Sequence, residues 1–275
     1  MKKNNLPEKA YKNLDFLTSK DARIIRILSE FLEPQTRFND LNIVDTIVFF
    51  GSARLKSKRD ASKELREFKK TNNEKSKGYS ATLKKLETSL RMSKYYEDSV
   101  ELAEKLTRWS MDLPTDEKRF IVCSGGGPGI MEAANKGAKK AGGYSIGLNI
   151  SIPFEQFVNK FVEKELAFEF HYFFMRKFWF AYMAKALIVF PGGFGTLDEL
   201  MEILTLMQTG KIKKDIKVIA YDKEFWTKIV NFDALVEDGV ISLEDLNLFE
   251  FCDSVDEMFD KIVSYFNSHY LKKNK

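Results

Sequence analysis

Residues 119–150 read RFIVCSGGGPGIMEAANKGAKKAGGYSIGLNI. Arg119–Ser124 is a short apolar, β-branched run of the kind that forms a buried strand. It breaks at Gly125, Gly126, Gly127 and Gly129, after which the spacing is helical to about Ala141. A second strand-like run, Tyr144–Ile150, follows. Parallel neighbours need a crossover, usually helical, so strand, glycine loop, helix and strand together predict a parallel sheet.

The same alternation continues outward in both directions. Upstream, Thr46–Phe50 is a continuous β-branched and aromatic run that ends in Gly51 and Ser52. Downstream, an irregular stretch around Pro153 precedes a strand over Lys164–Phe170. Helices are expected at about Phe174–Lys185, Thr196–Gln208, Glu224–Leu235 and Val255–Tyr270. Strands are expected at Ala186–Phe190, Ile216–Tyr221 and Phe249–Cys252. Near-continuous apolar strands belong to sheets covered on both faces. The fold class is therefore α/β, a parallel sheet with helices on both faces, as one domain over residues 41–275.

Two segments stand apart from this pattern. Residues 1–40 are polar, but Ile24, Ile25, Ile27, Leu28, Phe31 and Leu32 form one apolar stripe. This predicts an N-terminal helical arm, ended by Pro34. Residues 56–78, within an insertion at about 55–80, hold nine Lys/Arg against four acids and almost nothing apolar. They read as a solvated helical excursion or a mobile loop, with a specific anion-binding role as the less common alternative, before a helix over Tyr79–Met111.

Bulk composition excludes several classes. The net charge of +4 is too small an excess to argue for nucleic acid or membrane surface as a partner. Cys123 and Cys252 sit in apolar runs and read as free core thiols in a reducing compartment. Two His and no zinc-type spacing give no metal site. Met1–Leu6 has no apolar core behind its lysines, and no run reaches the ~18 apolar residues of a membrane span. A cytoplasmic protein is expected.

Ligands of open parallel sheets bind outside the carboxyl ends of the strands. Three loops lie there: Gly51-Ser52-Ala53-Arg54, Ser124–Gly129, and Pro191-Gly192-Gly193-Phe194-Gly195-Thr196. Glycines let backbone approach a ligand closely, and a helix start behind them favours an anion. Pro128 suits a first helical position. The dinucleotide fingerprint fits badly, since its third glycine falls on Ile130, and no Walker A loop is present. The first loop also reads simply as a tight strand–helix turn. In the second, Glu199 can reach the crevice mouth, or can form a capping box with Thr196. Arg176, between Met175 and Lys177 in an aromatic stretch, can clamp a phosphate or carboxylate, or pair internally.

The strings SGGGPGIMEAANKGA, MRK and PGGFGTLDE, in this order and spacing, resemble the Lonely-Guy (LOG) family, formerly labelled "possible lysine decarboxylase". The resemblance covers roughly Asp45–Asp222 and is to the longer bacterial members. It implies a Rossmann-like sandwich that dimerises or assembles further. The implied activity is hydrolysis of cytokinin riboside 5′-monophosphates, and often AMP, to free base and ribose 5-phosphate. By motif match, Arg176 and Glu199 take the catalytic positions. Lys177, Gly192, Gly193, Gly195 and Thr196 fall in the nucleotide-binding segment. Gly125, Gly126, Gly127 and Gly129 form the first glycine loop, and Ser52 lies in the first-strand loop. No cofactor is expected. The decarboxylase label lacks chemical support, because no lysine is identifiable as a pyridoxal anchor. A carboxylate beside the anomeric carbon suits the oxocarbenium-like charge of N-glycoside cleavage. The alternative is a non-catalytic nucleotide or molybdenum-cofactor binding protein using the same loops.

Overall fold

The computed structural model describes residues 7–152 and 157–271; Met1–Leu6 and the stretch at Pro153 lie outside the described residues. Its elements are α1 (Leu14–Thr18), α2 (Arg23–Asp40), β1 (Thr46–Phe50), α3 (Lys58–Thr71), α4 (Tyr79–Met111), β2 (Ile121–Ser124), α5 (Ile130–Ala141), β3 (Ser145–Ile150), β4 (Ala167–Phe170), α6 (Phe173–Met183), β5 (Ala184–Val189), α7 (Phe194–Gln208), β6 (Lys217–Tyr221), α8 (Lys223–Ile229), α9 (Phe232–Glu237), β7 (Glu250–Cys252) and α10 (Val255–His269). The strands form one sheet in the order β4-β3-β2-β1-β5-β6-β7. All of its ladders are parallel. The protein is thus an α/β, Rossmann-like fold.

Strand alternation divides the core in two. Val48 and Phe50 of β1 face a cluster with Phe38 of α2, Trp179 and Phe180 of α6, Leu200 of α7 and Trp226 of α8. Ile47 and Phe49 face Leu102 and Leu106 of α4, Ile130 of α5 and Phe266 of α10. Burial on both sides explains why the strands read as unbroken apolar runs.

Several boundaries differ from the sequence expectation. Pro34 does not end the arm: α2 runs through it to Asp40. A proline within a helix leaves the carbonyl four residues back without its helical donor. Here that carbonyl, Glu30 O, accepts the Trp179 indole N–H at 2.9 Å. The lost bond is replaced by a tertiary one that ties the arm to α6. Trp179→Phe keeps a ring but removes the donor, and is expected to cost about 1–3 kcal/mol in a denaturant titration.

The expected strand at Lys164 begins only at Ala167, after a 3-10 turn, and the helix expected over Glu224–Leu235 is the two helices α8 and α9. Asn231 starts α9 by accepting from Ala234 N. The basic insertion is helical, with α3 packed on the first half of α4.

Candidate functional site

The chain moves outward from β1 through β2 and β3 to β4, then returns to the other side of β1 at β5. A crevice opens where strand order reverses in this way. The three glycine-bearing loops leave β1, β2 and β5, which are neighbours there. They are joined by backbone bonds. Ser52 N donates to Pro191 O at 3.1 Å, and Ile130 N donates to Ser52 O at 3.1 Å.

The first glycine loop is held from behind. Ser124 Oγ donates to Asn135 Oδ1 at 2.8 Å and accepts from Gly126 N at 3.0 Å. Asn159 Nδ2 donates to Gly126 O at 2.9 Å, Gly127 O at 3.1 Å and Asn135 Oδ1 at 2.9 Å. Ser124 and Asn135 lie within the SGGGPGIMEAANKGA string, whereas Asn159 lies outside every motif. Asn159 carries no local signal, lying some thirty residues beyond the loop it clamps.

Helix α5 starts at Ile130, so Pro128 precedes the helix rather than opening it. The starting position falls to Gly129 at φ 70°, where a Cβ would lie 2.3 Å from Ser52 O. Only glycine suits both the positive φ and that contact.

The second glycine loop starts α7 at Phe194, two residues before the expected start at Thr196. Thr196 is therefore inside the first turn and is not the cap. Its N–H donates to Gly193 O at 3.0 Å, so the capping box with Glu199 does not form. Among the described residues no side chain caps this helix, and the Phe194 and Gly195 N–H groups find no acceptor. Thr196 Oγ1 lies over Gly192, where a Cβ would meet it at 2.1 Å. A Cβ at Gly193 or Gly195 would meet nothing within 4 Å, and neither residue has positive φ. Nothing in the chain itself requires glycine at those two positions.

Arg176 lies in the first turn of α6, and its Nε donates to Leu148 O at 2.8 Å. Its guanidinium carbon stands 5.1 Å from the Phe180 ring centroid. A Cβ at Gly125 would lie 2.5 Å from Arg176 Nη2, so the guanidinium rests on the first glycine loop. Among the described residues no carboxylate forms an ion pair with it. Burial lowers its pKa from the usual arginine value, against the opposing fields of Glu199, Cys123 and Glu169.

Glu199 is 8% exposed. Burial pushes its carboxyl above the ordinary range, while Lys177 and then Arg176 pull it down. Lys177 Nζ lies 3.6 Å from Glu199 Oε2, but 2.7 Å from Asp198 and 2.5 Å from Glu202. Burial lowers the Lys177 pKa, yet these carboxylates outweigh it and the net shift is upward. The lysine is thus held by the start of α7. The site joins a buried acid, a half-buried guanidinium without a described carboxylate partner, and an uncapped helix start.

Met175, Trp179, Phe180 and Met183 of α6 are buried in the core, whereas Phe173, Phe174 and Tyr182 are exposed. Among the described residues there is no group of three His, Cys, Asp or Glu placed to hold a metal ion. Among them, too, no helix is long and apolar enough to cross a membrane.

Comparison with known proteins adds four findings. A sequence model of the family described as "possible lysine decarboxylase" matches residues 131–262. The chain is 28% identical over 166 residues to "Probable cytokinin riboside 5'-monophosphate phosphoribohydrolase LOG4" of Oryza sativa subsp. japonica, covering 60% of this chain and 67% of that protein. It is 26% identical over 181 residues to "Cytokinin riboside 5'-monophosphate phosphoribohydrolase LOG3" of Arabidopsis thaliana, covering 65% and 79%. Among solved structures, the molybdenum cofactor binding protein of Rippkaea orientalis superposes with a TM-score of 0.45 at 19% identity, over 62% of this chain and 88% of that one. An overlap that loose carries no argument. The MRK and PGGFGTLDE strings fall within the matched span, and over that span the chain is similar to the LOG family.

Proposed function

We propose that this chain hydrolyses the N-glycosidic bond of a nucleoside 5′-monophosphate, releasing the base and ribose 5-phosphate. The base is that of a cytokinin riboside 5′-monophosphate, the substrate in the names of the plant relatives, or adenine. One observation carries the reading: Glu199 is a buried carboxylate left unused by its own helix start.

The chemistry follows from charge. Breaking the bond sends its electron pair to the base and leaves oxocarbenium-like charge on the ribose. Glu199 stabilises that charge at C1′ and accepts a proton from the attacking water, while the departing base takes up a proton at its glycosidic nitrogen from solvent, so that water is divided between the sugar and the base. The free N–H groups at the start of α7 and the first glycine loop hold the phosphate. Gly193 and Gly195, unconstrained by the chain, leave room for phosphate oxygens to reach the backbone. Arg176 has two η nitrogens beyond its bond to Leu148, and these grip the phosphate or the leaving base. Phosphate binding orients the sugar over Glu199.

The reading includes a cytoplasmic homodimer. Phe173, Phe174 and Tyr182 on α6 support it, since each is more than half exposed on one helix.

The test is purified chain incubated with AMP, isopentenyladenosine monophosphate, GMP and CMP, with chromatography for free base. Adenine or isopentenyladenine should appear, and adenosine, without the phosphate, should react far more slowly. No free base from any of the monophosphates would sink the reading.

A further inference from the structure

The small net charge of the chain averages two unlike parts. Residues 56–94 hold thirteen Lys/Arg against five Asp/Glu, a net +8, so the remainder carries −4. All thirteen cations are exposed. They lie on the hairpin of α3 and the first half of α4, which leaves the body directly after the Ser52 loop.

The charge is also sorted around α3. At 3.6 residues per turn, Lys58, Arg59, Lys63, Arg66, Lys69 and Lys70 fall within an arc of about 140°. Asp60, Glu64 and Glu67 occupy a separate sector of about 60°. Ala61, Leu65 and Phe68 form the third sector, which faces α4: Ala61 is buried and Phe68 stacks on Tyr79 with centroids 5.0 Å apart. Lys69 reaches Glu87 of α4 and Lys63 reaches Glu67, but Lys58, Arg59, Arg66 and Lys70 pair with no described carboxylate. A face kept cationic in this way, with its acids gathered to one side, is a platform for a polyanion.

The composition of the face selects among polyanions. Its apolar sector is spent on α4, and no large apolar side chain stands exposed on the hairpin, so there is no wedge for a bilayer. Nor is there an exposed aromatic to stack on an unpaired base. What remains is an array of point charges along some 18 Å of helix, about 1.5 Å per residue. That array fits a dense row of phosphates, and duplex nucleic acid has the denser row.

We propose that the basic face of α3 binds the phosphate backbone of double-stranded nucleic acid without regard to sequence, beside the crevice. The whole-chain charge argued against such a partner only because the acidic body cancels the hairpin.

The experiment is fluorescence anisotropy with a labelled 20-base-pair duplex of mixed sequence, titrated with the full chain from 50 to 200 mM salt. Contact with about five phosphates predicts a log–log salt slope of about −4 to −5. The triple variant Arg59→Glu, Arg66→Glu, Lys70→Glu should bind at least ~10-fold more weakly at 50 mM salt, with a slope shallower by about 3. Its circular dichroism melt should match that of the parent, because these side chains are exposed. An unlabelled duplex of another sequence should compete equally. The proposal is overturned by absence of binding at 50 mM salt, or by equal binding of the triple variant. Tighter binding to phosphatidylserine vesicles than to the duplex overturns it as well. None of these readouts involves nucleotide hydrolysis, so each stands or falls apart from the catalytic reading.

Discussion

Glu199→Gln is expected to slow base release from AMP by at least ~100-fold, the scale of a lost general base or charge stabiliser. The same variant should be at least as stable as the parent at neutral pH. Both follow from one feature. The Glu199 carboxyl is buried, and burial raises its pKa above the ordinary value despite Lys177 and Arg176. A carboxyl whose folded pKa is raised contributes stability that is fully present below its unfolded pKa and is lost as pH rises through the folded one. At neutral pH the ionised group is therefore a burden on the fold, and glutamine removes it. Lys177 keeps Asp198 and Glu202 when Glu199 is neutralised, so no cation is stranded. Parent activity should climb with pH through a limb above the usual glutamate range, and residual activity of the variant should lack that limb. The checks are kcat/KM across pH 5–8 and thermal melts over the same span. Undiminished activity in the variant would remove Glu199 from the mechanism. A stability loss without an activity loss would mark it as a structural acid.

The architecture was readable because both sheet faces are covered. Strands such as Thr46–Phe50 had to be apolar at every position, and a five-residue run of that kind between glycine and polar turns has few other fates. Errors came where a tertiary partner replaced a local rule. Pro34 ends a helix only if Glu30 O has no other donor, and Trp179, some 150 residues away, supplies one. The second glycine loop shows the same limit. Thr196 and Glu199 have capping-box spacing, so sequence left the cap and the crevice acid equally open. The earlier start of α7 at Phe194, after Gly193 in extended backbone, rules out the cap. Ser52 lies against Gly129 and Arg176 against Gly125, and Glu199 feels the field of Arg176. The clamp of Asn135 and Asn159 on the first loop was invisible, because its partners meet only after β3 is laid beside β2. Whole-chain charge has a limit of its own: a sum hides the separation of a basic hairpin from an acidic body.

Arg176→Ala is expected to lower kcat/KM by about 100- to 1,000-fold, the range for loss of one preorganised donor to developing charge, or about 2.7–4 kcal/mol. The guanidinium is fixed before substrate arrives. Nε is committed to Leu148 O, the plane lies by Phe180, and Gly125 makes room for Nη2. A half-buried, partly desolvated cation with no described carboxylate partner is costly to the empty protein. A bound phosphate offsets that cost, so the binding energy is larger than for a solvated arginine. Arg176→Lys separates charge from geometry. Lysine retains the charge, but a single ammonium cannot serve Leu148 O and also present a planar fork to an anion. Activity should therefore fall in the lysine variant too, by at least ~10-fold. A readout independent of turnover comes from the product. Ribose 5-phosphate binds only the folded protein, so it should raise the parent's melting temperature, by linkage. At 100 times its dissociation constant the gain is about 2.7 kcal/mol. The alanine variant should show little of this shift at the same concentration while melting no lower in buffer, since a desolvated charge has been removed. If ribose 5-phosphate stabilised both proteins equally, Arg176 would not be a phosphate ligand. Its role in the crevice would then be confined to the leaving base or to holding Leu148 and the first glycine loop in place.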